Sequence, residues 1–151
     1  MNDPTPVDIL LVDNSEDDLI ITRMAFRRAG CPVNLHHVRN GEQCLDFLHQ
    51  RGAFASAPAI ALVLLDLNMT GMDGRTALAA ITSDADLRHL PVVVLSTSDY
   101  ERDVLDCYRL RCSSYLTKPI DLEHFTAALK TLYEYWFKVV QRPRAPFING
   151  R

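Results

Sequence analysis

The sequence lacks the apolar length and the basic charge that membrane proteins or nucleic-acid-binding proteins would need. None of its apolar runs approaches the roughly 20 residues that span a bilayer, and its first residues show no signal-peptide pattern. The net charge is -3, from 16 basic and 19 acidic side chains, whereas nucleic-acid binders usually present a basic face. We therefore expect a cytoplasmic protein that binds neither membranes nor nucleic acid.

Cysteine and histidine are too scattered to predict a metal or redox centre built from them. The four cysteines form no C-x-x-C pair, and the five histidines show no ligand spacing. His36 and His37 are adjacent, so in a strand they would point to opposite faces. We interpret the cysteines as reduced residues of a cytosolic chain.

Strand-like and helix-like patterns alternate along the chain, and its 151 residues suit one domain with its own core. The first predicted strand, Val7–Asp13, ends its apolar run on an acid, as expected for a parallel strand covered on both faces. Further strands are predicted at Asn34–Arg39, Ala61–Asp66, Pro91–Ser96 and Ser114–Thr117. Five strand–helix units predict an α/β protein with a central, five-stranded, doubly wound parallel sheet.

Two of the predicted helices carry apolar residues at helical spacing. In the first helix, whose predicted N-cap is Ser15, the apolar positions are Ile21, Met24, Ala25 and Ala29. In the last helix the predicted buried stripe is spaced by three and four residues throughout: Leu122, Phe125, Leu129, Leu132 and Trp136.

Four predicted strands end on side chains that could act together, namely Asp13, Asp66, Ser96 and Lys118. In doubly wound sheets, ligands bind beyond the carboxyl ends of the strands, near the point where the strand order reverses. We therefore expect these side chains to converge. Two acids, a hydroxyl and an ammonium are the equipment of a phosphoryl-accepting aspartate. The simpler alternative is that each acid only caps the helix that follows it.

The chain resembles the receiver domain of two-component response regulators over nearly its whole length. The motifs that carry the resemblance are Asp13, Asp66-Leu67-Asn68-Met69, Met72-Asp73-Gly74, Ser96, Tyr115 and Lys118-Pro119. The resemblance implies a flavodoxin-like (βα)5 fold. It also implies a phosphoprotein that accepts a phosphoryl group from a histidine kinase and loses it slowly, and not an enzyme with a turnover substrate.

The resemblance assigns roles around the acceptor. Asp66 is the phosphoacceptor, and Lys118 pairs with the phosphoryl oxygens. The cofactor is Mg²⁺, bound by Asp13, Asp66 and the backbone carbonyl of Asn68. The family usually has two adjacent acids after the first strand, but here the second position is Asn14. Its amide oxygen can coordinate Mg²⁺ without adding charge, so we expect weaker metal binding.

The resemblance also implies a switch. On phosphorylation, the Ser96 hydroxyl moves to the phosphoryl group, and Tyr115 rotates inward to fill the vacated space. Asn14 motivates a second hypothesis, a receiver fold that works as an interaction or dimerisation module without phosphate. A third hypothesis, a flavodoxin-like cofactor binder, requires a phosphate-cradling loop, but residues 14–17 offer acids that repel anions.

The receiver pattern ends near Leu132, which predicts a receiver domain at 1–132 and a C-terminal helix extension and arm at 133–151. The remainder is too short for an output domain, so we expect a stand-alone receiver. Apolar residues continue at helical spacing at Tyr133, Trp136, Phe137 and Val140, before an arm at 145–148. Either this region docks onto a second copy in a homodimer, or Trp136 caps the domain's own core.

Three features resemble the single-domain response regulators that are paired with cyanobacterial and bacterial phytochromes. They are the loop Arg51–Pro58, the run Val94–Ser98 and the C-terminal tail. This resemblance suggests a phytochrome-type histidine kinase as the partner.

Overall fold

The computed structural model describes residues 5–67 and 73–143. Over these residues, strands and α-helices alternate along the chain, as the sequence predicts. The elements are β1 (Val7–Val12), α1 (Glu16–Arg28), β2 (Val33–Val38), α2 (Gly41–Leu48), β3 (Leu62–Asp66), α3 (Gly74–Ser83), β4 (Val92–Ser96), α4 (Glu101–Arg109), β5 (Ser114–Thr117) and α5 (Leu122–Glu134). A 3-10 turn at Gly52–Phe54 precedes β3, and a π-helical turn at Tyr135–Val139 extends α5. The predicted arm at 145–148 lies outside the described residues.

The described strands form one parallel sheet in the order β2-β1-β3-β4-β5. The chain runs from β1 to β2 and then returns to the other side of β1, which places the reversal of strand order between β1 and β3. In the register, Val12 lies opposite Val38 on one side and Leu65 on the other. This order confirms the predicted flavodoxin-like fold and brings the carboxyl ends of β1 and β3 side by side.

The sheet separates two apolar clusters, so its central strands are buried on both faces. In β1, Leu10 and Val12 belong to the cluster covered by α2 and α3, while Ile9 and Leu11 belong to the cluster covered by α1 and α5. These four side chains are 0–1% exposed. Continuous apolar runs are therefore a requirement of this architecture, and the polar residues at the strand ends stand out against them.

The predicted apolar face of α1 is wrong in part. The helix buries Leu19, Thr22, Ala25 and Phe26, whereas Ile21 is 43% exposed and Met24 is 39% exposed. Apolar residues occur on more than one side of α1, so spacing alone admits two faces. Packing on the sheet beside α5 selects the one that includes Phe26. For α5 the stripe is confirmed: Phe125, Leu129 and Leu132 are buried, and Leu122 and Trp136 are half-buried against the same cluster.

Gly74 joins the start of α3 closely to the end of β3. Its N–H donates a 3.1 Å hydrogen bond to the carbonyl oxygen of Leu67. A Cβ atom at this position would lie 2.4 Å from the backbone oxygen of Asp66 and 2.5 Å from the Cα of Leu67. Only glycine allows this approach, which holds the last residue of β3 against the first turn of α3.

All four cysteines are buried and unpaired with one another: Cys31, Cys44, Cys107 and Cys112. Burial raises the pKa of the Cys44 thiol to about 12 and that of Cys112 to about 11. Thiolate chemistry is therefore suppressed at these positions. Within residues 5–67 and 73–143, no helix has both the length and the apolar character to cross a membrane.

Candidate functional site

Three of the four side chains predicted to converge meet at the carboxyl edge of the sheet, and the fourth, Ser96, ends a strand at the same edge. Asp13 and Lys118 directly follow β1 and β5, and Asp66 and Ser96 are the last residues of β3 and β4. The Lys118 Nζ lies 3.3 Å from an Asp13 carboxylate oxygen and 4.0 Å from an Asp66 carboxylate oxygen. Its backbone N–H donates a 2.7 Å hydrogen bond to the carbonyl oxygen of Ser96, which fixes where the lysine leaves the sheet.

These polar groups are withdrawn from solvent. Asp13 is 1% exposed, Asp66 is 7% exposed and Ser96 is 1% exposed, while the Lys118 side chain is 16% exposed. Buried charges are costly unless they are paired and hydrogen-bonded. The ammonium between the two carboxylates partly supplies that compensation, and the concentration of charge in one buried place indicates a site rather than two separate helix caps.

The surroundings of the site raise the pKa of both Asp13 and Lys118, for different reasons. Burial raises the pKa of Asp13 to about 6, against the opposing effects of the Lys118 ammonium and a 2.9 Å hydrogen bond from the Ser15 N–H. For Lys118, burial works against the charged form, but Asp13, Asp66 and Asp18 outweigh it and raise its pKa. The lysine therefore stays cationic, and the Asp13 carboxyl takes up a proton more readily than an ordinary aspartate does.

Asp18 is a member of this site that the sequence interpretation missed. Its carboxylate lies 3.1 Å from the Lys118 Nζ, closer than either Asp13 or Asp66. From the predicted Ser15 cap, Asp18 is expected only in the capping turn, where its N–H does donate to the Ser15 hydroxyl at 3.1 Å. The available signal was topological: α1 begins at the carboxyl edge, so acids in its first turn lie beside the strand ends.

Three further polar residues, Asn14, Glu16 and Asp17, follow β1 in the sequence. Glu16, in the first turn of α1, pairs with Arg39. Asp17 and Asn14 are exposed. The cluster that surrounds Lys118 therefore draws on Asp18 from the first turn of α1.

The two predicted switch residues meet at Ser98, which the sequence interpretation did not single out. The Ser98 N–H donates to the Ser96 hydroxyl at 3.1 Å, and the Tyr115 hydroxyl donates to the Ser98 carbonyl oxygen at 2.8 Å. The Ser98 hydroxyl donates to Asp103 at 2.5 Å, and Asp103 also accepts from Arg75 at 2.6 Å. A continuous polar network therefore connects the end of β4 with β5, α3 and α4.

The donors available for a metal ion are carboxylate oxygens. Asp13 and Asp66 provide them side by side, and Asn68, whose carbonyl was predicted as a third ligand, lies outside the described residues. Within the described part of the chain, no cluster of three or more His, Cys, Asp or Glu forms a ready ligand set. This donor set fits Mg²⁺, which is typically held by one or two carboxylates and keeps several waters.

Comparison with known proteins gives the site its context. The family model of the response regulator receiver domain matches residues 9–130. The response regulator Rcp1 of Synechocystis sp. is 36% identical over 140 residues, which cover 93% of this chain and 95% of that protein. A solved structure of the Mn²⁺-bound form of Rcp1 has a TM-score of 0.82 at 35% identity, covering 92% of this chain and 100% of that one.

Two further solved structures are similar. The phosphorylated cyanobacterial phytochrome response regulator RcpA has a TM-score of 0.86 at 35% identity, covering 93% of this chain and 100% of that one. The response regulator RPA3017, from red light signaling of R. palustris, has a TM-score of 0.88 at 33% identity, covering 92% and 99%. With a matching family model over most of its length and these relatives, the chain belongs to the response regulator receiver domain family.

Proposed function

We propose that this protein is a single-domain response regulator that accepts a phosphoryl group on Asp66 from a histidine kinase and switches its protein–protein contacts in response. One observation carries the proposal: Asp66 is buried at the point of strand reversal with the Lys118 ammonium 4.0 Å from its carboxylate and Asp13 beside it. An isolated helix cap would need neither the lysine nor the second acid. The family membership supports the same role.

The transfer joins two anionic groups, so catalysis depends on position and charge neutralisation. One carboxylate oxygen of Asp66 attacks the phosphorus of a phosphohistidine. The P–O bond forms as the P–N bond breaks, and the imidazole leaves with the electron pair of that bond. Lys118 is placed to pair with a phosphoryl oxygen. A divalent cation held by Asp13 and Asp66 would offset the remaining negative charge, and we propose Mg²⁺, in line with the Mn²⁺-bound relative.

The same geometry supports a switch at the end of β4. Ser96 lies at the carboxyl edge with Asp66, and its hydroxyl accepts a hydrogen bond from the Ser98 N–H. When the hydroxyl turns to donate to the phosphoryl group, Ser98 loses this partner, and the contact of Tyr115 with Ser98 is lost with it. The turn before α4 is then free to change, which alters the face made by α4 and β5 for a partner.

We propose a phytochrome-type histidine kinase as the source of the phosphoryl group, because Rcp1, RcpA and RPA3017 are each at least 33% identical to this chain and two of the three names refer to phytochrome or red-light signalling. Since such kinases use ATP, the exchange takes place in the cytoplasm. Phosphotransfer from a panel of purified kinases that includes a phytochrome tests this partner. Preferential transfer from a different sensor class would contradict it.

The acceptor assignment is tested with Asp66→Asn. We expect the wild type to incorporate one Mg²⁺-dependent, hydroxylamine-sensitive phosphoryl group from acetyl phosphate or a phosphorylated kinase, and Asp66→Asn to incorporate none. Asp17→Asn is the matched control, because it removes an exposed acid from the adjacent helix and should be labelled like the wild type. Equal labelling of Asp66→Asn would overturn the assignment. Partner binding that is identical in Asp66→Asn and in the labelled wild type would instead favour the phosphorylation-independent module.

We also propose that the C-terminal extension forms a homodimer. Tyr135 is 50% exposed and Val139 is 72% exposed, while Trp136 and Phe137 pack against the core of their own chain. A cavity of about 700 Å³ lies between the extension and the amino ends of β3 and β4. The exposed apolar residues are the part available to a second copy.

Light scattering of Val139→Glu tests this association better than truncation after Leu132, because truncation would also remove Trp136 and Phe137 from the core. We expect the wild type to have the mass of a dimer and Val139→Glu that of a monomer with unchanged helicity. Lys138→Gln, at the neighbouring exposed position, makes the same change of net charge and provides the control. A monomeric wild type would exclude the dimer.

A further inference from the structure

The ammonium of Lys118 contacts three carboxylates. Those of Asp13, at 3.3 Å, and Asp66, at 4.0 Å, are buried. The third belongs to Asp18, at 3.1 Å, whose side chain is 38% exposed and also interacts with the Asp13 carboxyl. Asp18 and Lys118 both line a cavity of about 450 Å³ that opens beside the site. The shortest of the three contacts is thus made with Asp18 and not with the proposed acceptor, Asp66.

The position of Asp18 is fixed by the backbone and not by chance contact. Its N–H donates to the Ser15 hydroxyl at 3.1 Å, so the first turn of α1 fixes the backbone from which the carboxylate extends. An acid in the first turn is also favoured by the partial positive charge at the start of the helix. Ser15 in turn donates its N–H to Asp13 at 2.9 Å, which connects the turn directly to the site.

Asp18 changes the net charge of the cluster around Lys118. With Asp13, Asp18 and Asp66 ionised and Lys118 protonated, the cluster carries a formal charge of about -2, which a divalent cation brings to about zero. Without Asp18, the same cation leaves the cluster with about one positive charge. An incoming phosphoryl group is an anion, so the positive net charge would attract it more strongly. It would also no longer compete with the Asp18 carboxylate for the Lys118 ammonium.

We propose that Asp18 is a positioning residue that holds Lys118 in the unphosphorylated protein and competes with the phosphoryl group for it, thereby limiting how strongly the site binds that group. The proposal rests on the proposed function of Asp66. It gives Asp18 a role in the reaction that is independent of its N–H contact with the capping serine, because any substitution except proline keeps that N–H.

The experiment measures binding of beryllofluoride, a phosphoryl mimic, at saturating Mg²⁺ by ¹⁹F NMR and calorimetry. We expect Asp18→Asn to bind it about threefold to fivefold more tightly than the wild type, the scale of a partly exposed ion pair. Asp18→Glu, which keeps the carboxylate, should restore most of the wild-type affinity. Asp17→Asn makes the same change of net charge one residue away and should have little effect.

A double-mutant cycle separates competition for Lys118 from a structural effect. In a Lys118→Gln background, where beryllofluoride binding is weaker, Asp18→Asn should tighten it by a clearly smaller factor, because only the effect of net charge remains. The ¹⁵Nζ signal of Lys118 gives a readout that does not depend on phosphoryl binding, and we expect Asp18→Asn to shift it whereas Asp17→Asn leaves it unchanged.

Each outcome has one meaning. Equal affinities for Asp18→Asn and Asp17→Asn would overturn the competition. Weaker binding of both Mg²⁺ and beryllofluoride by Asp18→Asn would also overturn it, because Asp18 would then serve the cation. If the wild type binds no beryllofluoride at saturating Mg²⁺, the proposed function of Asp66 fails instead, and this result is distinguishable from the other two.

Discussion

The Tyr115 hydroxyl donates a 2.8 Å hydrogen bond to the carbonyl oxygen of Ser98, whose N–H is bound to the Ser96 hydroxyl. One residue therefore joins the two side chains expected to move on phosphorylation. Because both contacts are made in the unphosphorylated protein, they stabilise that state against the alternative. Their loss should make the switch easier to trigger.

Tyr115→Phe removes the hydroxyl and keeps the ring. We expect the free energy of unfolding to fall by about 1 kcal/mol, the usual contribution of such a hydrogen bond, and beryllofluoride binding to tighten up to about fivefold if the bond is absent in the bound state. Urea denaturation and calorimetry measure the two effects. Tyr108→Phe, at a 49% exposed position on α4, should change neither. Lower stability without tighter binding would show that the bond persists on activation.

Arg75→Ala tests the tether between α3 and α4. Arg75 donates to Asp103 at 2.6 Å, and Asp103 accepts from Ser98, so this side chain restrains the first turn of α4. We expect faster hydrogen exchange in residues 101–105 of the unphosphorylated protein, with no change in α1. Arg102→Ala, at an exposed position of the same helix, is the control. Unchanged exchange in α4 would show that the ion pair does not restrain it.

Stability should depend on pH through Asp13. Burial raises the pKa of its folded-state carboxyl to about 6, above its ordinary value of 3.8. The folded protein then binds more protons than the unfolded chain between these values, so without divalent cation the free energy of unfolding falls as pH rises from about 4 to 6. The expected loss at this group is about 1 to 3 kcal/mol.

Asp13→Asn should remove this pH dependence and raise stability at pH 7 in the presence of a chelator, because the buried charge is gone. Added Mg²⁺ should stabilise the wild type at pH 7 and much less at pH 5, where protons compete for the carboxylate. Urea denaturation at both pH values measures this. A stability of the chelated wild type that rises between pH 4 and 6 in parallel with Asp13→Asn would contradict the raised pKa.

Gly74→Ala tests the close approach of α3 to β3. The added Cβ would lie 2.4 Å from the backbone oxygen of Asp66, so the backbone of the acceptor must move. We expect a loss of stability of about 1 to 3 kcal/mol together with slower phosphorylation. At Gly30, where φ is +72° and nothing lies within 4 Å, alanine should cost about 1 to 2 kcal/mol from backbone strain and leave phosphorylation unchanged.

The parallel sheet and the positions of Asp13, Asp66, Ser96 and Lys118 at one edge were predictable from apolar runs that end on polar residues. The flavodoxin-like strand order followed from the family resemblance. The buried face of α1 was not predictable, because its apolar residues occur on more than one side. Ser98 was also hidden, because its backbone contacts depend on tertiary structure.

The position of Asp18 was predictable only in part. Its place in the first turn of α1 follows from the Ser15 cap, but its nearness to Lys118 requires knowing how far α1 is displaced across the end of the sheet. No periodicity in the sequence encodes that displacement, which results from packing of residues such as Phe26 against the sheet and α5.

The extension after α5 borders the amino ends of β3 and β4, whereas Asp66 closes β3 at its other end. Five residues of strand put about 15 Å between these two levels. A molecule bound at the extension would thus leave Asp66 accessible at the opposite end of the sheet. Two chains joined there would be phosphorylated and dephosphorylated independently of each other. A dimer with one phosphorylated chain would then be a distinct signalling species.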